Sequence, residues 1–289
     1  MNTETWPDRA LHPFESRYLE MEAGRVHYVD EGSGPVLLMV HGTPTWSFLY
    51  RRLIRELSQD HRVVAFDHLG FGLSDRPSDW GYRPEDHARI LTSLIERLGL
   101  EQVTLVVHDF GGPIGLSYAI RQPANVRALV LFNTWMWSLG GTPAERLGRL
   151  MGSAFGRVLY ERFNFSPRVL IPMAFGDRRK LSKPVHRQYV GAFANASERR
   201  APWVLARELV GSREWYEALW HQRATLAGKP ALLLWGMKDP AFGADSLARW
   251  KAALPHARSV EYRDAGHFVQ EEAPEGAARE IRAFVAALQ

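Results

Sequence analysis

Three short stretches of this 289-residue chain carry side chains suited to nucleophilic chemistry. The first is Val103-Thr-Leu-Val-Val-His-Asp-Phe-Gly-Gly-Pro-Ile-Gly115, where a β-branched apolar run ends at Asp109 and turns through glycines. A strand over 103–107, a tight turn and a helix opening at Gly112 and Pro113 would present the Asp109 side chain on a strained elbow above a sheet. The serine form of this turn reads G-x-S-x-G; here Val107 and Gly111 flank a carboxylate. Taken alone, Asp109 reads equally well as the cap of the following helix. The other two stretches break the tie. Gly236-Met-Lys-Asp239 follows an apolar run over 231–236, and Asp264-Ala-Gly-His267 follows a strand pattern over 259–262. A carboxylate needs no base to displace a leaving group from an sp³ carbon, and the product is an alkyl ester. A histidine then takes a proton from the water that hydrolyses the ester, and a second carboxylate orients that histidine.

The surrounding pattern must place all three at one end of a sheet. Residues 17–22 and 24–30 alternate around Ala23-Gly24 as a hairpin, and Glu31-Gly-Ser-Gly-Pro35 is a turn. Val36-Leu-Leu-Met-Val40 is a buried strand that empties into His41-Gly-Thr-Pro-Thr-Trp46, and helical spacing follows over 47–59. A strand over 61–66, a helix over 84–98 with Pro at its start, the Asp109 strand and helix, and a strand over 126–132 continue the alternation. From 134 to 228 it gives way to helical periodicity broken by Pro143, Pro167, Pro172, Pro184 and Pro202, with five of the ten tryptophans: Trp135, Trp137, Trp203, Trp215 and Trp220. This stretch reads as an inserted helical cap on a core of 1–133 and 229–289. Strands over 231–236 and 259–262 and helices over 245–254 and 274–288 close the core. The alternation implies an α/β architecture, a mainly parallel sheet with helices on both faces and ligands at the carboxyl ends of its strands.

Composition narrows the function classes. With 46% hydrophobic residues the chain can bury a core plus a cap. The absence of Cys removes disulfides, thiolate catalysis and Cys-ligated metals, and the histidines do not fall at zinc-like spacings, so no metal is expected. No signal-peptide pattern and no apolar run of about 18 residues occur; a cytoplasmic protein without a membrane partner is expected. The formal charge is +4. The basic residues are scattered among carboxylates, which reads as a solvated mixed surface, not a nucleic-acid site.

The chain order Asp, Asp, His is that of an α/β-hydrolase. His41-Gly-Thr-Pro-Thr-Trp-Ser-Phe-Leu-Tyr-Arg51, Phe66-Asp-His-Leu-Gly-Phe-Gly-Leu-Ser-Asp75, Val106-Val-His-Asp-Phe-Gly-Gly112, Gly236-Met-Lys-Asp239 and Asp264-Ala-Gly-His-Phe-Val-Gln-Glu271 together resemble the haloalkane dehalogenases of that superfamily, in a type I-like form. The resemblance implies an eight-stranded, mostly parallel sheet with a helical cap, a cofactor-free enzyme, a small apolar substrate, a halide or other small anion as product, and a monomer or dimer. It implies Asp109 as nucleophile, His267 as base and Asp239 as its orienting acid; a second branch carries a Glu where this chain has Asn133-Thr134. It also implies an oxyanion hole from the Thr43 and Phe110 amides and a cis peptide at Thr43-Pro44.

At two positions the chain departs from the family. The family places a halide-binding Trp directly after the nucleophile, where this chain has Phe110, and commonly an Asn after the His-Gly pair, where it has Thr43. One lost donor to a developing anion costs roughly 3 kcal/mol. The Thr43 hydroxyl or the indole of Trp135 or Trp137 would have to compensate. An epoxide hydrolase with Tyr160, Tyr189 or Tyr216 as cap acid, and a β-lactone-cleaving relative, are the alternative readings. A ligand receptor is a further class, but receptors of this fold generally carry Ser in place of Asp109.

Overall fold

The computed structural model describes residues 6–288. The strands are β1 (Arg17–Met21), β2 (Gly24–Glu31), β3 (Val36–Val40), β4 (Arg62–Phe66), β5 (Val103–Asp109), β6 (Val126–Thr134), β7 (Ala231–Gly236) and β8 (Arg258–Tyr262). They form one eight-stranded sheet in the order β1-β2-β4-β3-β5-β6-β7-β8, antiparallel through β1, β2 and β4 and parallel from β4 onward. The apolar runs of β3, β5 and β7 are buried almost without interruption, as strands covered on both faces must be.

Helices α1 (Arg51–Leu57), α2 (Pro84–Arg97), α3 (Gly111–Arg121), α10 (Ala244–Ala253), α11 (Val269–Glu272) and α12 (Pro274–Ala286) belong to the sheet-forming parts. Between β6 and β7 the described residues form no strand. They hold α4 (Pro143–Gly152), α5 (Ala154–Phe163), α6 (Ile171–Ala174), α7 (Lys183–Gly191), α8 (Arg200–Gly211) and α9 (Arg213–His221). The helix expected over 47–59 opens as a 3₁₀ turn at Ser47–Tyr50. The Ser47 amide donates to Asp67 Oδ1 (2.7 Å), which ties that first turn to the loop after β4.

Buried polar pairs fasten the loops at the carboxyl ends. Asp67 also accepts from His27 Nδ1 and from the Leu73 amide, both at 2.8 Å. Burial alone would raise the Asp67 pKa; His27 and the amide donors outweigh it and hold the group well below the usual carboxylate range. Arg51 grips Glu271 through two bonds (2.5 and 2.8 Å), and the cap residue Tyr189 donates to the same carboxylate. Among the described residues no helix is long and apolar enough to cross a membrane.

Candidate active site

β5 delivers Asp109 at the start of α3 with φ +51°, a backbone conformation that costs a non-glycine residue energy and that functional turns retain. The elbow works only because its neighbours are small. A Cβ on Gly42 would overlap the Asp109 side chain, and one on Gly112 would overlap the Thr134 hydroxyl. Thr134 Oγ1 donates to the Asp109 carbonyl (2.6 Å) and pins the turn from the β6 side. Asp109 does not cap α3: Phe110 occupies the N-cap and no side-chain cap bond forms. Instead Asp109 Oδ1 accepts from the Thr43 amide (2.8 Å), and Thr43 follows β3 with a cis bond to Pro44.

The loop after β8 brings His267 across. Its Nδ1 lies 2.7 Å from Asp239 Oδ2, and its Nε2 lies 3.6 Å from Asp109 Oδ2, beyond hydrogen-bond reach. Asp239, after β7, is aimed by the Ala241 amide on its other oxygen (2.8 Å). All three side chains are at least about nine-tenths buried. Burial pulls the His267 pKa down, but Asp239 first and Asp109 second outweigh it and raise it to about 10. The two neighbouring carboxylates thus favour the protonated form of His267.

These residues line a cavity of about 240 Å³ between sheet and cap. Thr43, Phe110, Tyr160, Ser166, Phe242 and Phe268 share its wall, which is mostly apolar. Thr43 Oγ1 is buried there without a hydrogen-bond partner. Five residues expected from the sequence, Thr43, Asp109, Phe110, Asp239 and His267, thus meet in one cavity.

Several others lie elsewhere. Trp135 stacks on Phe242 (4.6 Å) and stands edge-on behind Phe110 (4.8 Å), while Trp137 packs against Trp220 (4.9 Å). Neither lines this cavity. Tyr189 is engaged with Glu271, and the Tyr216 hydroxyl donates to the Glu208 carbonyl (3.0 Å). Of the three tyrosines only Tyr160 lines the cavity. Its phenol is buried and pushed up to about 12.

The supporting residues were not legible as motifs. Asn133, at the position of the second branch's acid, spans to Gly236 through both the amide (2.8 Å) and the carbonyl (2.9 Å) and so joins β6 to β7. Glu272 accepts from the Gly266 amide beside His267 (2.7 Å) and from the Gly176 and Asp177 amides in the cap (3.1 and 2.9 Å). Their only sequence signal is a polar residue among positions that the fold buries, on β6 for Asn133 and on α11 for Glu272. No group of three or more metal-ligating side chains is arranged to hold a metal ion among the described residues.

Comparison with known proteins identifies the family. The family model described as alpha/beta hydrolase fold matches residues 35–274. Haloalkane dehalogenase 2 of Mycobacterium tuberculosis is 40% identical over 283 residues, covering 97% of this chain and 98% of that protein. A cis-3-alkyl-4-alkyloxetan-2-one decarboxylase of Shewanella oneidensis is 34% identical over 286 residues, covering 95% and 89%. The crystal structure of haloalkane dehalogenase DatA from Agrobacterium tumefaciens matches with a TM-score of 0.87 at 27% identity, over 98% of this chain and all of that one. By sequence and by fold alike, the chain belongs to the haloalkane dehalogenase family of α/β-hydrolases.

Proposed function

We propose that the chain hydrolyses small alkyl electrophiles through an ester on Asp109, with bromoalkanes or chloroalkanes as the substrate class. The observation that carries this reading is the line Asp239, His267, Asp109 in a small apolar cavity. Asp109 Oδ1 is held by the Thr43 amide, which leaves Oδ2, on the His267 side, as the attacking oxygen. Oδ2 forms a bond to the substrate carbon as the carbon–halogen bond breaks, and the halide leaves with the pair of electrons.

The second step follows from the first. Esterification removes the Asp109 charge, and with it one of the two carboxylates that kept His267 protonated. Its pKa falls and the ring loses its proton with the departing halide. His267 Nε2 then deprotonates a water that attacks Asp109 Cγ, and Asp239 stabilises the imidazolium that forms again. The tetrahedral oxyanion is Oδ1, already at the Thr43 amide, with the Phe110 amide at the start of α3 as second donor.

A second reading has its own observation. Phe110 offers no side-chain N–H to a halide, whereas the buried Tyr160 hydroxyl in the same cavity, pushed up to about 12, is a proton donor for an oxygen leaving group. Epoxides and β-lactones have such leaving groups, and the Shewanella oneidensis relative is named for an oxetan-2-one. Cavity size favours short substrates of either class over long-chain ones. At about 240 Å³ it lies below the roughly 300–1,000 Å³ usual for drug-sized ligands, so a short haloalkane fits and a lactone with two long chains does not.

The test is the His267→Phe variant incubated separately with 1-bromobutane, 1,2-epoxybutane and β-butyrolactone, followed by intact mass. A butyl adduct with one equivalent of bromide supports the haloalkane reading. An adduct from the epoxide or the lactone alone moves the assignment to the second reading, and no adduct from any of them overturns the ester.

A further inference from the structure

The described part of the cap carries an uneven surface. Large apolar side chains left exposed are Leu147, Leu150, Phe155, Val158, Phe163 and Met173, with Tyr18 on β1 as the exception; Phe155 and Phe163 are 61% and 62% exposed. On α5, positions 155, 158 and 163 fall on one side of the helix, together with Arg162. Isolated exposed leucines are ordinary, but six large apolar residues within 27 positions form a patch that water does not favour. Leu147 and Met173 also line the cavity above Asp109, so the patch is continuous with the cavity wall.

The same stretch is basic. Between 146 and 187 there are ten Lys and Arg against two Asp and Glu. The mixed, self-neutralising surface expected from the sequence does not hold here, because the fold leaves Arg146, Arg162, Arg168, Arg178 and Lys183 exposed and without a carboxylate partner among the described residues. A second copy of this chain docking patch to patch would set these cations against one another. An occupant that is apolar inside and anionic at its surface satisfies both features.

We propose that α4, α5 and α6 form a docking face for an anionic lipid surface, with the phenylalanines inserted at the headgroup boundary and the arginines on the phosphates. Such a face is the arrangement interfacial helices use, with aromatic and aliphatic residues on one side and Lys and Arg beside them. Docking there sets the cavity wall beside the lipid phase, where small apolar molecules concentrate. This supply role rests on the apolar substrate proposed above; the docking itself does not.

The test is pelleting of the full chain with phosphatidylcholine vesicles and with vesicles containing one quarter phosphatidylglycerol. The expected result is at least about tenfold stronger binding to the anionic vesicles, lost in about 0.5 M salt as the charges are screened. Phe155→Ser with Phe163→Ser, and separately Arg162→Ser with Arg168→Ser, each weaken binding, the second by about fivefold per cation. Far-UV circular dichroism and turnover of dissolved bromobutane stay unchanged in both, since none of the four residues lines the cavity. Equal binding to both vesicle types, no binding, or variants that bind like the parent overturn the proposal. So does a dimer that the Phe155→Ser, Phe163→Ser variant dissolves, because the patch is then covered by a second copy. Pelleting reads no catalysis, so its failure is distinct from failure of the ester mechanism.

Discussion

Thr43 contributes to the cavity in two separable ways, an amide that holds Asp109 Oδ1 and a buried hydroxyl with no partner. Thr43→Val keeps the first and removes the second. If the hydroxyl is the donor that replaces the family's asparagine, kcat/KM for bromoalkanes falls about 10- to 100-fold. Urea stability stays equal or rises slightly, since an unsatisfied polar group is exchanged for a methyl; unchanged turnover removes Thr43 from the leaving-group site. The opposite change is Phe110→Trp, which puts an indole N–H on the cavity wall. Turnover of bromobutane then rises by up to about 10²-fold, while any epoxide turnover does not, because only a departing halide needs that donor. Comparison of the two substrates with each variant checks both expectations.

At the scale of elements, Glu272 clamps the His267 loop to the helices inserted between β6 and β7. Its carboxylate at α11 holds the Gly266 amide of the His267 loop and the Gly176 and Asp177 amides of the cap, while the His267 amide donates to the Ala174 carbonyl in α6 (2.8 Å). A glutamine at this position turns an NH₂ toward an amide that needs an acceptor. Glu272→Gln is expected to cost about 2 kcal/mol, the scale of a bond to a charged acceptor. Because the clamp sets the distance from His267 to Asp109, kcat falls more than KM rises. Urea unfolding and steady-state kinetics on the same preparation test this, and a variant as stable and as active as the parent refutes the clamp.

For the whole molecule, buried histidines set the acid limit. His12 and His87 are buried, their ring nitrogens have no hydrogen-bond partner, and burial lowers their pKa to about 4 and about 3. In that range the unfolded chain binds more protons than the folded one. Their contribution is complete above pH about 6.5 and is lost as pH falls toward those values, at up to about 1.4 kcal/mol per unit for each group. His267 works in the other direction. Its folded pKa of about 10 lies above the unfolded value, so its contribution is complete below pH about 6.5 and fades as pH rises to 10. Stability measured by urea from pH 4 to 10 should peak near 6.5. His87 packs against Trp80 and His68, each at 4.8 Å, so His87→Phe keeps an aromatic ring there and flattens the acid side of the curve. An unchanged acid slope removes His87 from the account.

How much was legible in advance follows from how local each cause is. The strands, the elbow at Asp109 and the loops of Asp239 and His267 were readable because runs of apolar residues, glycines and chain order specify them over a few positions, and the eight-stranded sheet confirms that order. The five cavity residues met as expected for the same reason: carboxyl ends of parallel strands converge whatever lies between them. The cap was readable only as helical. Which tyrosine reaches the cavity, that Trp135 and Trp137 turn away from it, and that Glu272 and Asn133 support the site depend on how distant helices pack, and no spacing along the chain encodes that. Charge behaved likewise: that Arg146, Arg162, Arg168, Arg178 and Lys183 stay exposed without a carboxylate partner among the described residues, in the same stretch as six exposed apolar side chains, shows only in the folded chain. Sequence determined the fold and the chemistry available to it because both rest on short-range patterns; tertiary packing decided the pocket and the outer face, because both are made by side chains far apart in the chain.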